Sequence, residues 1–281
     1  MINSHDHQAY EEKAEMEEKI EKLKLWFEQC EGTITAFSGG IDSALVLYTS
    51  HLFLGHRAIG CISISPSLKR KDYSEAIDFC DRYGIHLEII QTKEIEDENY
   101  LSNPANRCYF CKTHLYTDLR VVQKKYPGYL VLNGTNKDDF QDYRPGLQAA
   151  REHEIRSPLA DSGLNKEDVR ALGKYFGLPN WNKPASPCLS SRVPYGDFIT
   201  PEKLKQVEDA ESILNKLGFK DVRVRHYGKE AKIEVPADEL QRLSNYKEHI
   251  RKSFANLGFE RCRIDEEGLV SGKLNRALKN M

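Results

Sequence analysis

The stretch Thr33-Ile34-Thr35-Ala36-Phe37-Ser38-Gly39-Gly40-Ile41-Asp42-Ser43 decides how the rest of the chain is read. Thr33 to Phe37 is a β-branched and aromatic run that suits a buried strand, and Ala44, Leu45, Val46 and Leu47 open an apolar helix directly after Ser43. A strand that breaks at two glycines and turns into a helix aims several backbone N–H groups and a helix N-terminus at one place, which is what a polyphosphate requires. The glycines permit the close approach of backbone to ligand. The segment lacks Gly-Lys-Ser/Thr, so no lysine of the loop itself grips a γ-phosphate. The plain alternative is a glycine-rich turn joining strand to helix.

Outward from the loop, Ala58 to Ser65, Ile85 to Gln91 and Tyr129 to Asn133 read as further buried strands, with helices predicted at 70–83 and 109–126 between them. That alternation predicts an α/β fold with a parallel sheet covered on both faces. A helix over residues 9–30, a strand-like run Ile155 to Leu159 and a helix over 166–176, N-capped by Asn165, extend this domain over 1–184. Residues 185–200 are rich in Ser, Pro and Gly and read as a long loop carrying Cys188. Beyond it, a helix (201–217), strands at 221–226 and 230–235, a helix (237–256) and a strand (259–265) predict a smaller C-terminal α+β domain over 201–281, with Gly218 and Gly258 as helix C-caps.

The 281 residues, 40% of them hydrophobic, are enough for such a pair of cores. With 41 basic and 43 acidic side chains the net charge is -2, which argues against nucleic acid or an anionic membrane as an obligatory partner. No basic start runs into an apolar stretch, and none approaches the ~20 apolar residues of a membrane span, so a cytoplasmic protein is expected. Seven unevenly spaced cysteines do not make a disulfide scaffold.

Three of them invite chemistry instead. Cys108 and Cys111 form a Cys-x-x-Cys at the start of a predicted helix, and Cys188 lies in the Ser/Pro-rich loop. If the three meet, zinc would need a fourth ligand, for which His114 is in register. An iron–sulfur cluster normally takes four cysteines, so three would leave one iron open to a substrate or sulfide. A redox disulfide of Cys108 and Cys111 is the remaining alternative. Cys30, Cys61, Cys80 and Cys262 sit among apolar neighbours and read as core residues.

The loop resembles the PP-loop signature Ser-Gly-Gly-x-Asp-Ser of ATP pyrophosphatases, the adenine nucleotide alpha hydrolase-like fold. In that family Ser38, Gly39, Gly40, Asp42 and Ser43 would hold ATP, Asp42 would help bind magnesium, and ATP is split into AMP and pyrophosphate. Further on, Asn133-Gly134-Thr135-Asn136, Asp142-Tyr143-Arg144-Pro145-Gly146-Leu147, Asn182-Lys183-Pro184-Ala185-Ser186, Ser190-Ser191-Arg192 with Pro194-Tyr195-Gly196, and Val222-Arg223-Val224-Arg225 follow in order. Together these blocks, from about residue 30 to 275, resemble the LarE family of pyridinium-3,5-biscarboxylic acid mononucleotide sulfurtransferases.

The resemblance implies an ATP- and magnesium-dependent enzyme of nickel-pincer cofactor synthesis, acting as a hexamer on a nucleotide-like dicarboxylate and drawing on a sulfide source. It places substrate contacts at Arg144, Ser191, Arg192, Arg223 and Arg225. One branch sacrifices the sulfur of a single cysteine in a loop that reads Ala-Ser-Cys-x-x-Ser-Ser-Arg; here Pro187 takes that position and Cys188 follows it. A second branch resembles this chain, with Cys108, Cys111 and Cys188 holding a [4Fe-4S] cluster. Two other ATP-using classes fit the loop: a cluster-dependent tRNA thiolase, and an amidotransferase or NAD synthetase using ammonia. A zinc-stabilised nucleotide-binding protein is the non-enzymatic reading.

Overall fold

In the computed structural model, which describes residues 4–141, 144–184, 186–270, 272, 273 and 276, helix α1 (Ser4–Phe27) leads into strand β1 (Thr33–Ala36), α2 (Ile41–Leu54), β2 (Ala58–Ile64) and α3 (Arg70–Tyr83). Then come β3 (His86–Gln91), the single-turn α4 (Glu98–Leu101), α5 (Arg107–Gln123) and β4 (Leu130–Leu132). Three helices follow, α6 (Pro145–Glu152), α7 (Pro158–Asp161) and α8 (Lys166–Tyr175). The rest is α9 (Pro201–Lys216), β5 (Arg223–Tyr227), β6 (Glu230–Glu234), α10 (Leu240–Ser244), α11 (Lys247–Asn256) and β7 (Arg261–Ile264). Among the described residues no helix is long and apolar enough to cross a membrane.

The chain divides into two compact units. The first comprises Met1–Ile64, Arg70–Thr92 and Cys111–Ser186, and the second Ser65–Lys69, Lys93–Phe110 and Pro187–Met281. Where an uninterrupted domain over 1–184 was expected, two excursions after β2 and β3 belong to the second unit. Local periodicity carries no information on such exchanges.

In the first unit four parallel strands lie in the order β3-β2-β1-β4, the α/β sheet expected from the alternating pattern. Ile34 of β1, Leu45 and Leu47 of α2, Ile62 of β2 and Leu132 of β4 are all buried. One expected strand is corrected. Ile155 to Leu159 contributes only a bridge, in which Arg156 N donates to Val131 O and Asn133 N donates to Arg156 O, both at 3.0 Å. Pro158 then opens α7, because a residue without an N–H ends a ladder and suits a first helical turn.

In the second unit β5 and β6 form an antiparallel hairpin through Gly228 (φ +62°), and β7 pairs parallel to β6. Leu214 of α9, Val224 and Ile233 of the sheet, and Ile250 and Phe254 of α11 make its core. The single helix expected over 237–256 is divided at Asn245 and Tyr246 into α10 and α11. Gly218 (φ +90°) and Gly258 (φ +96°) take the left-handed conformation their C-cap reading requires.

His226 of β5 is buried on the apolar side, its Nε2 2.8 Å from Gln206 Oε1 and its Nδ1 without a partner. Burial, and then the Lys203 charge, lower its pKa, so the folded chain binds this proton less readily than the unfolded one. The stability tied to neutral His226 is complete above the ordinary histidine pKa and declines as pH falls through it. Thermal melts between pH 7 and 5 should therefore show a steeper loss for the native chain than for His226→Gln.

Candidate functional site

The glycine loop closes on itself through Ser43. Its Oγ donates to Gly40 O (3.1 Å), accepts from Ser38 N (3.2 Å) and lies 3.1 Å from Ser38 Oγ. Gly39 has φ +73°, and a Cβ there would stand 3.2 Å from the Asp72 carbonyl oxygen. Asn180 Nδ2 donates to Gly39 O at 3.1 Å. No side chain caps α2 at Gly40, so its first-turn N–H groups are left for a ligand, as at any open helix start.

The Asn133-Gly134-Thr135-Asn136 segment, leaving β4, lies directly on that helix start. A Cβ on Gly134 would be 2.6 Å from Ser43 N and 2.8 Å from the Asp42 carbonyl carbon. Asn133 Oδ1 holds the turn by accepting from Thr135 N (3.0 Å) and Ser157 Oγ (2.8 Å).

Asp42 is met by a lysine that sequence reading missed. Lys166 is the first residue of α8, which opens on a capping box of Asn165 and Asp168. Its Nζ reaches both Asp42 oxygens, at 2.7 and 2.5 Å, and Asn136 Nδ2 donates to Asp42 Oδ1 at 3.1 Å. The local sequence signals only the cap; the meeting of α8 with the loop is long-range. Asp139 is buried nearby, accepting from Asn136 N (3.0 Å) and paired with Arg144 (2.9 Å). Burial pushes its pKa up against the pull of Asn136 N–H and Arg144, and the Asp42 charge adds to the rise. Two neighbouring carboxylates among oxygen donors suit a hard cation, so Asp42 and Asp139 fit magnesium. Asp142 and Tyr143, and Ala185 of a later block, lie outside the described residues.

A cleft of about 470 Å³ adjoins the loop, lined by Phe37, Gly39, Phe79, Asn180 and Lys183 among others, a size suited to a nucleoside. Lys183 ties its wall to α3 through Asp72 (2.7 Å) and Glu75 (2.6 Å); burial lowers its pKa, and those carboxylates more than offset the effect.

In the second unit the Cys188 loop is held by buried arginines. Arg192 binds Glu211 through Nε (2.7 Å) and Nη2 (3.2 Å), while its Nη1 donates to Pro187 O (2.8 Å), Cys188 O (3.3 Å) and Ser191 Oγ (2.9 Å). Ser191 Oγ in turn donates to Cys188 O at 2.7 Å. Arg225 donates to Glu234 and to Ser191 O, each at 2.7 Å. Arg107 donates to Ser190 O at 3.0 Å. Arg192 and Arg225, expected to face substrate, are thus engaged with internal carboxylates and loop carbonyls. Arg223 is only partly buried, and burial and then the charges of Arg192 and Arg225 lower its pKa, a setting that calls for an anion.

Cys30, Cys61 and Cys80 are buried, and burial drives the Cys61 and Cys80 thiols up to about 12. Cys262, expected in the core, is half-buried on edge strand β7, its thiol raised by burial to about 11. Cys108 and Cys188 are exposed, and Cys111 follows Cys108 by one turn of α5 with His114 a turn beyond. Burial lowers the Arg107 pKa, but the Cys188 and Cys108 charges, with Tyr100 and Tyr195, outweigh it. Arg107, next to Cys108, thus reaches the loop two residues past Cys188 through Ser190 O. Among the described residues no group of three or more His, Cys, Asp or Glu is close enough to hold a metal ion. Cys108 and Cys188 are thus the exposed cysteines, and Cys111 is partly exposed.

Gly134→Ala forces the loop off the α2 start and should weaken ATP binding by about tenfold or more, as a clash with backbone costs on the order of 1–3 kcal/mol; isothermal titration with ATP measures it.

A sequence model of the NAD synthase family matches residues 14–111. An uncharacterised protein of Synechocystis sp. is 42% identical over 265 residues, 94% of this chain and 99% of that protein. The pyridinium-3,5-bisthiocarboxylic acid mononucleotide synthase of Lactiplantibacillus plantarum is 34% identical over 244 residues, 86% of this chain and 88% of its own. A glutamine-hydrolysing GMP synthase polypeptide of Sulfurisphaera tokodaii is 24% identical over 266 residues, 84% of this chain and 71% of its own. A strand, glycine loop and open helix start built for a polyphosphate, together with a likeness that runs through most of both chains, place this protein in the LarE family of PP-loop enzymes, the pyridinium-3,5-bisthiocarboxylic acid mononucleotide synthases.

Proposed function

We propose that the protein is an ATP-dependent sulfurtransferase that converts the carboxylates of pyridinium-3,5-biscarboxylic acid mononucleotide to thiocarboxylates for nickel-pincer cofactor synthesis, as a cytoplasmic hexamer. The observation that carries this reading is a pair of exposed cysteines, Cys108 and Cys188, whose segments Arg107 joins through Ser190 O, in a chain with a PP-loop.

A carboxylate is a poor acceptor for sulfur because oxide is a bad leaving group. Attack of the carboxylate on the α-phosphorus of ATP forms an acyl adenylate and expels pyrophosphate. The open N–H groups of Gly40 and the α2 start receive the charge that develops on pyrophosphate. Asp42 and Asp139 are the ligands proposed for magnesium. Lys166, whose ammonium meets Asp42 beside the loop, would supply the phosphates with the cation that the loop's own sequence lacks. AMP is then the leaving group when a sulfur nucleophile takes the acyl carbon, and two carboxylates require two rounds.

Arg223 supports the role of substrate-phosphate ligand, since it is partly exposed and the charges of Arg192 and Arg225 are only partly offset by those of Glu234 and Glu211. Arg144, exposed at the end of its pair with Asp139, is the proposed carboxylate contact. Ser191, Arg192 and Arg225 shape the substrate's surroundings through the loop they hold. Cys108, Cys111 and Cys188 would hold the [4Fe-4S] cluster, which when bound supplies inorganic sulfur at an iron that no protein residue occupies. Pro187 at the sacrificial donor position speaks against loss of a protein sulfur. The likeness to GMP synthase favours ammonia transfer as a second reading, but that chemistry leaves the thiols without a use.

Anaerobic, iron- and sulfide-loaded protein given ATP, magnesium, sulfide and the dicarboxylate should exchange oxygen for sulfur over many turnovers by mass spectrometry. A single turnover with dehydroalanine at Cys188, or a colourless protein holding one zinc, would overturn the cluster reading. Lys166→Met should slow substrate-dependent ATP–pyrophosphate exchange by about 100-fold, the usual size of losing one preorganised charge contact, with a smaller effect on ATP affinity.

A further inference from the structure

Arg107 has no part in the chemistry above, yet it is one of the most buried charged residues of the second unit, 5% exposed. We propose that Arg107 is a positioning residue: by holding the Cys188 loop to the start of α5, it sets the spacing between the Cys108 and Cys188 thiols. The inference rests on the thiol reading and concerns the residues of the chain itself.

The guanidinium sits one residue before Cys108, and one Nη1 spans two acceptors, Asn103 Oδ1 at 2.6 Å and Ser190 O at 3.0 Å. Ser190 is two residues past Cys188, so a single group links the neighbourhoods of both thiols. Asn103 extends the link. Held at φ +53°, it donates from Nδ2 to Val193 O (3.2 Å) and Pro194 O (2.6 Å), and its own carbonyl accepts from Gly196 N (3.0 Å). Tyr100 and Ser190 share a hydroxyl hydrogen bond, and the Tyr195 ring stands 6.0 Å from the guanidinium. These contacts lace Tyr100–Arg107 to the loop after Cys188, and Arg107 is the member adjacent to Cys108 that also bonds Ser190, the member nearest Cys188.

Lysine does not substitute: its ammonium rides on a flexible stem, whereas the planar guanidinium fixes the direction of the Nη1 that meets Asn103 Oδ1 and Ser190 O.

The test uses the reduced, metal-free full chain carrying Cys111→Ser, so that Cys111 does not compete. Dibromobimane becomes strongly fluorescent only when both of its arms are displaced by thiols, and peptide mapping identifies a bridge between Cys108 and Cys188. The parent should bridge readily. Arg107→Lys should slow bridging by about tenfold or more, as expected for losing hydrogen bonds to a charged group. Arg107→Ala should slow it further and recover when guanidinium ion is added. Near-ultraviolet circular dichroism and the thermal melt of each variant report its integrity. No Cys108–Cys188 bridge in the parent, a folded Arg107→Lys that bridges at the parental rate, or an Arg107→Ala that guanidinium does not restore would each overturn the proposal; unfolding of both variants would do so too, by making Arg107 a stability residue. Iron and sulfide loading of the native chain is a separate arm. A colourless protein whose bridging still depends on Arg107 removes the cluster and leaves the positioning role; a brown protein with Arg107-independent bridging does the reverse.

Discussion

Backbone carbonyls of Pro187, Cys188, Ser190 and Ser191 end on the guanidinium groups of Arg192, Arg107 and Arg225, all of them buried. Burying a guanidinium sacrifices hydration worth several kcal/mol, and the structure recovers it only where a carboxylate and further acceptors complete the shell. Glu211, which also pairs with Lys69 at 3.2 Å, does this for Arg192, and Glu234 does it for Arg225. Burial raises the Glu211 pKa, but Arg192 and Lys69 pull it below the ordinary value, so the pair stays ionised. The shell of Arg225 is incomplete, with its Nε unpartnered, a debt of about 1–3 kcal/mol for such an atom. Fold and site are thereby one object in this unit: α9 supplies Glu211, the hairpin supplies Arg225 and Glu234, and what they jointly hold is the loop presenting Cys188.

The nucleotide half follows a different logic. Its loop is shaped by absent side chains, since Gly39 needs a left-handed φ and Gly134 leaves room for the backbone of Asp42 and Ser43. Charge is then brought from a distance. Lys166 and Asp139 converge on Asp42 from α8 and from the segment after β4, so the cation absent from the loop is present in space. The match to NAD synthase ends at residue 111, before either of them, whereas the likeness to the thiocarboxylate synthase runs through most of the chain.

Much of this was legible beforehand where the determining forces are local. Apolar runs with β-branched residues become strands wherever they are buried, and Asn165 with Asp168 writes a helix start in four residues. Pro158 was the local signal that should have cut the strand expected over Ile155–Leu159. The alternation Arg223, Val224, Arg225 correctly put both arginines on one face of a strand, but alternation cannot say which of them is free.

By itself, then, the sequence determined the strand–glycine–helix unit, the order of most elements and the burial of Cys30, Cys61 and Cys80, because each follows from periodicity, turn chemistry or composition within a few residues. Tertiary structure alone decided that Arg192 and Arg225 hold a loop while Arg223 stays partly exposed, that Lys166 answers Asp42, and that Arg107 joins the segments of Cys108 and Cys188. Those outcomes depend on partners some 10 to 120 positions apart, and the energy of a charge is set by what surrounds it after burial.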